Sequence, residues 1–166
     1  MKKVAATIFF ALSAMTIYLS FSPSIPSMPT ISTDKRESGE TCTLSRVIDG
    51  DTIRVDCSGQ TLSVRLLRIN TPEKHSRGFL EAKKRLEALL GKGRVQLVNE
   101  IPNRVETDRF GRRLSYVFKN GHNANIEMVR SGWSKYWTKY GFGRFRAAFE
   151  SAEKSAQSYK AGLWSE

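Results

Sequence analysis

After residue 41 the chain breaks into short stretches whose apolar spacing switches between the strand and helix periods. The segment TLSRVIDGDTIRVD, between Cys42 and Cys57, holds two β-prone runs about an Asp-Gly pair, the pattern of a hairpin turning at Asp49–Gly50. QTLSVRLLRI (60–69) sets Leu62, Val64 and Leu66 on one side of a third strand. From Phe79 the spacing lengthens: Phe79, Ala82, Leu86 and Leu89/Leu90 fall at helical intervals within 78–93, and Gly91 stops the run. RVQLVNE (94–100) returns to strand, as does 112–121, where Leu114, Tyr116 and Phe118 alternate before a turn at Asn120–Gly121. A short helix over 123–132 ends at a glycine, and 144–162 aligns Phe145, Phe149, Ala152, Ala156 and Tyr159 on one helical stripe.

The order is β-β-β-α-β-β-α-α, with no internal repeat. Neighbouring strands joined by short turns favour a small, mainly β barrel with helices packed on it, an α+β arrangement. Five strands with an inserted helix and a basic surface point to an oligonucleotide-binding (OB-fold) barrel carrying three helices.

The first 41 residues do not share this patterning. Behind Met-Lys-Lys, residues 4–21 carry no charge and read as a signal peptide or signal anchor, so residues 1–21 predict export, periplasmic or secreted, or a membrane-anchored chain. Residues 22–41 hold three of the five prolines and many serines, the composition of a linker. The folded domain is therefore expected over 42–166.

Charge adds a partner class. Lys and Arg number 27 against 16 Asp and Glu, a formal charge of +11, and of the basic residues only Lys2 and Lys3 precede Lys35. Such an excess in the folded part favours a polyanion, either nucleic acid or an anionic membrane surface. The two cysteines add a second constraint. If the hairpin turns at Asp49–Gly50, cross-strand partners have numbers summing to 99, as Cys42 and Cys57 do. Directly opposed residues lie close enough for a disulfide, and an exported chain meets oxidising conditions.

Several chemistries lack their residues. Both cysteines are committed to that pair, His75 and His122 stand apart, and neither a phosphate-cradling glycine loop nor a nucleophile elbow is present. What remains is charge at strand ends: Asp49 and Asp51 in IDGDT, Arg65, Thr71 and Glu73 in RLLRINTPE, and Asp108 and Arg112 in TDRFGRRLSY.

Taken together, VIDGDT, RLLRINTPE, TDRFGRRLSY and the terminal GLWSE resemble the staphylococcal nuclease (thermonuclease) family over about residues 42–166. The resemblance implies an OB-fold barrel that hydrolyses DNA and RNA phosphodiesters with Ca²⁺, working as a monomer. It implies metal ligation by Asp51 and by the Thr71 backbone carbonyl, and a water-directing role for Glu73. Arg65 and Arg112 would contact the scissile phosphate, with Arg109, Phe110 and Tyr140 on the substrate side. The family's second metal carboxylate is replaced here by Asn70, which keeps an oxygen donor and loses the charge, so weaker calcium binding is expected. Two other readings fit the basic charge: a nucleic-acid-binding barrel with weak or no catalysis, and a domain docking on membrane or cell wall.

Overall fold

The computed structural model describes residues 38–165; the expected leader and most of the expected linker lie outside them. The elements run β1 (Glu40–Val47), β2 (Thr52–Cys57), β3 (Gln60–Leu66), β4 (Ile69–Asn70), α1 (Phe79–Leu90), β5 (Gly93–Val98), β6 (Glu106–Thr107), β7 (Arg113–Lys119), β8 (His122–Asn123), α2 (Ala124–Arg130), β9 (Lys135–Tyr136) and α3 (Arg146–Ser158), followed by a 3₁₀ turn at Gly162–Trp164. The five long strands are those the alternation predicts. The two-residue strands escape any periodic reading because two residues carry no period.

Antiparallel pairing joins β3 to β2, β2 to β1, β1 to β5 and β5 to β7. A parallel pairing of β3 with β7 closes the ring, Arg65 lying opposite Leu114. The result is a closed five-stranded barrel with three helices, the OB-fold arrangement. Ile53, Val55, Val64, Leu66, Leu97 and Val117 fill its interior, each with at most 1% exposure. Ala82, Leu86 and Leu90 are the buried stripe of α1; Phe149, Ala152 and Ala156 are that of α3.

The barrel corner below the closing pair is held by a buried amide. Asn125 accepts from the Val117 N–H at 2.9 Å and donates to the Leu67 carbonyl at 2.9 Å. One side chain thus ties α2 to the ends of β3 and β7, the strands that carry or follow Arg65 and Arg112. Asn123 caps α2, its side chain accepting from the N–H groups of Asn125 and Ile126.

Cys42 and Cys57 form a disulfide with their Cα atoms 4.5 Å apart. Register sums of 99 hold for Thr43–Asp56 and Leu44–Val55, then shift at a bulge so that Arg46 faces Arg54. The expected two-residue turn at Asp49–Gly50 is instead a wider loop over residues 48–51. The Ile48 and Asp49 N–H groups both bond the Thr52 carbonyl, and the Asp49 side chain accepts from the Asp51 N–H at 3.0 Å. Gly50 serves close approach here: a Cβ there would lie 2.7 Å from Thr71 Oγ1.

Candidate active site

Three chain segments converge at one end of the barrel. The 48–51 loop brings Asp49 and Asp51, the stretch following β3 brings Thr71 and Glu73, and the turn between β6 and β7 brings Arg112. Leu66 N–H bonds the Asp51 carbonyl at 2.8 Å, which locks the first two segments together.

Asp51 is the buried centre, 7% exposed. Its Oδ2 accepts from the Thr71 N–H and hydroxyl, each at 3.0 Å, and lies 3.0 Å from Arg65 Nη2. Its Oδ1 accepts from the Thr52 hydroxyl at 3.2 Å. Burial raises the Asp51 carboxyl above the usual range, and the nearby Arg65 charge and Thr71 N–H offset only part of that. The protein therefore keeps a carboxylate where it is costly, a condition common at functional sites.

Arg112 is held by its own turn. Its Nε and Nη2 both reach Asp108 Oδ2 at 2.7 Å, and Nη1 donates to the Thr52 hydroxyl at 3.3 Å. Asp108 Oδ1 meanwhile accepts from the N–H groups of Phe110 and Arg112. Burial works against the Asp108 charge, but these bonds outweigh it and hold the carboxyl below its ordinary range. Sequence reading places Asp108 near Arg112 without showing that it grips both ends of the turn; the Asp-x-x-Gly spacing of a side-chain-capped turn carries that signal.

Two cavities meet at these arginines. A small polar one, about 130 Å³, is lined by Asp49, Asp51, Thr71 and Glu73 together with Arg65 and Arg112. A groove of about 820 Å³ opens on the other side, lined by Arg65, Arg109, Phe110, Arg112, Trp137 and Tyr140 among others. Phe110 and Tyr140, which line the groove, are 67% and 75% exposed. Arg109 stacks 4.7 Å from the Phe110 ring centre.

Asn70 is the expected member that stays apart. It does not line the polar cavity, and its Oδ1 faces Arg65 Nη2 at 3.4 Å. Its N–H is taken by the Ser134 hydroxyl at 2.9 Å.

Besides the two guanidiniums, the polar groups lining the cavity, on Asp49, Asp51, Thr71 and Glu73, offer oxygens, the set a hard cation such as Ca²⁺ takes. Asp49 uses only Oδ1 in a hydrogen bond, and among the described residues the Glu73 carboxylate has no hydrogen bond or ion pair. These acids share a cavity without converging on one point: the sole tight group of candidate metal ligands among the described residues is Glu40, Cys42 and Cys57, whose cysteines are spent in the disulfide. By donor chemistry the cavity residues fit such a cation.

Comparison with known proteins shows which family the chain resembles. The family model of the staphylococcal nuclease homologues matches residues 63–166, beginning within β3 and including Arg65, Glu73 and Arg112. An uncharacterized protein of Bacillus anthracis is 38% identical over 126 residues, covering 70% of this chain and 57% of its own length. The SPbeta prophage-derived endonuclease YokF of Bacillus subtilis is 32% identical over 130 residues, covering 74% and 43%. The thermonuclease of Staphylococcus intermedius is 32% identical over 145 residues, covering 80% of each chain. The chain thus spans about half the length of the first two relatives.

Proposed function

The chain belongs to the staphylococcal nuclease family, and on that footing we propose that it is an exported nuclease hydrolysing phosphodiester bonds of DNA or RNA with calcium. One observation carries the proposal: Arg65 and Arg112 form the shared wall between an aromatic-lined groove and a polar cavity containing Glu73.

A phosphate seated between the two guanidiniums meets fixed, bidentate donors. Hydrolysis joins a water oxygen to phosphorus as one ester bond breaks, and charge accumulates on the non-bridging oxygens. Donors aimed at those oxygens lower the barrier. Glu73, whose carboxylate has no partner among the described residues, takes or orients the proton of the attacking water. Asp51 and the Thr71 carbonyl, with Asp49 beside them, would hold the calcium ion. When bound, that ion supplies a Lewis acid that neutralises phosphate charge and acidifies water. Arg109, Phe110 and Tyr140 hold the flanking nucleotides by charge and stacking. Every residue given a role here lies in one chain, which supports action as a monomer.

Export is supported by the uncharged stretch 4–21 and by the Cys42–Cys57 disulfide. The loss of a carboxylate at Asn70 favours a second reading, a barrel that binds nucleic acid and cleaves it slowly or not at all. Labelled single- and double-stranded DNA, incubated with the full chain in calcium or in chelator, separates the two. Fragments that appear only with calcium are expected; binding without fragments at any calcium concentration would establish the second reading.

A further inference from the structure

Arg68, in the turn between β3 and β4, is an arginine where the backbone favours glycine: its φ is 62°. Its side chain is largely shielded, 11% exposed, and is not needed by the chemistry above. Its Nη1 donates to two successive carbonyls across the groove, Tyr140 at 2.7 Å and Gly141 at 2.8 Å. Its Nη2 lies 3.4 Å from Glu100 Oε2. Its own carbonyl accepts from the Trp137 N–H at 2.9 Å.

Glu100 braces this arrangement from behind. The Tyr116 hydroxyl donates to its Oε2, and the Arg144 N–H reaches its Oε1 at 3.0 Å. Arg144 Nη1 also donates to the Asn99 carbonyl at 3.1 Å. Gly143 lets the segment pass this close, because a Cβ there would fall 2.6 Å from Arg68 Nε and 2.5 Å from the Tyr116 oxygen. Residues 137–145 otherwise hold little regular structure, and Tyr140 and Phe142 within them are half or more exposed. The Arg68 guanidinium and the Glu100 carboxylate thus hold the segment over the groove, together with the Trp137 N–H bond to the Arg68 carbonyl and the Tyr136 hydroxyl, which donates to the Phe142 carbonyl.

We propose that Arg68 is a positioning residue: braced by Glu100, its guanidinium latches residues 137–145 so that Trp137 and Tyr140 wall the groove and set affinity for the polynucleotide strand. The latch touches neither Glu73 nor Arg112, so it governs binding of the strand and leaves the bond-breaking step alone. That consequence for affinity rests on the nuclease reading; the mechanical claim does not.

Two arms test it. Trypsin acts on opened segments, and Lys139 and Arg144 are cleavable positions within this one. In Arg68→Met the first cut at Lys139 should come about tenfold faster than in the wild type, tracking the opened population. For cleavage of a single-stranded oligonucleotide, Arg68→Met should raise KM about tenfold and hold kcat within about twofold. Tyr140→Ala should also raise KM, and adding Arg68→Met to it should raise KM no further, since residues acting as one unit are not additive. Arg68→Met alone leaves the half-buried Glu100 without its cation, so Arg68→Met/Glu100→Gln is the companion variant that removes the charge imbalance. Unchanged tryptic cutting in both variants, or KM effects of Arg68 and Tyr140 that multiply, would overturn the latch. Should the wild type cleave nothing, the nuclease reading falls, and the tryptic arm still decides the latch.

Discussion

Arg65 Nη2 lies 3.0 Å from Asp51 Oδ2, and both side chains are mostly shielded, 17% and 11% exposed. Yet burial, outweighing this cation, leaves the Asp51 carboxyl raised. In the proposed reading a phosphate would draw on Arg65 and a cation on Asp51.

Asp51→Asn should therefore stabilise the calcium-free protein while abolishing most cleavage. A carboxyl whose pKa rises on folding is harder to ionise in the fold than in the unfolded chain. Its charge subtracts stability above the ordinary carboxylate value of about 3.9, and the penalty disappears as pH falls through the raised folded value. Thermal melts in chelator should show the variant above wild type near neutrality, by roughly 4 °C for each kcal/mol gained, with the gap closing towards acid. A variant that melts lower at neutral pH would mean the Arg65 attraction dominates.

Asp108 carries the opposite sign. Its lowered carboxyl contributes stability that is present above the ordinary value and lost as pH falls through the lower folded one. Asp108→Asn should thus lower the melting temperature at neutral pH and converge on wild type in acid. It also frees Arg112 from its grip, and misplacing a catalytic group by about 1 Å can cost about 10²-fold. A fall in kcat/KM of about 10- to 100-fold is expected, read as initial rates of DNA cleavage; full activity would show that Arg112 needs no such holding.

The disulfide lies at the far end of the hairpin from the 48–51 loop, spanning a sequence separation of 15. Replacing both Cys42 and Cys57 by alanine should cost about 3 kcal/mol, as expected for a loop of that length, measured by urea unfolding. Cleavage at room temperature should stay near wild type. A large loss of activity in a folded variant would show that hairpin geometry at the site depends on the bridge.

Asn70 bears on the calcium requirement. Asn70→Asp restores a carboxylate beside Arg65 and Thr71, and added ligand charge raises calcium affinity. The calcium concentration for half-maximal cleavage should fall. An unchanged requirement would mean that residue 70, which faces Arg65 and stands off the polar cavity, is no ligand in this chain.

Much of this was legible before any coordinates. Alternation about Val64 and Leu66 marks a strand because that face of β3 is buried, whereas β7 packs on both faces, with Arg113, Ser115 and Val117 buried on the side opposite Leu114, Tyr116 and Phe118. The 99 rule for Cys42–Cys57 survives because the bulge falls nearer the loop than the cysteines. The two-residue turn was not found: Asp49 bonds its own backbone and Gly50 packs on Thr71, a tertiary demand that no local pattern reports. Arg68 and Glu100 were invisible for a related reason. Their partners lie 16 to 73 residues away in sequence, and a charged residue looks the same on paper whether it is solvated or held in a latch.

The central claim is that the polar cavity beside Arg65 and Arg112 is where a phosphodiester is hydrolysed, with Glu73 acting on the water. The most direct measurement is the single-turnover cleavage rate of a labelled single-stranded oligonucleotide at saturating calcium, for the wild type, Glu73→Gln and Arg65→Gln. Each substitution should lower the rate by about 10²–10³ while oligonucleotide binding by Glu73→Gln, followed by fluorescence anisotropy, stays near wild type. Cleavage by Glu73→Gln at the wild-type rate would contradict the account.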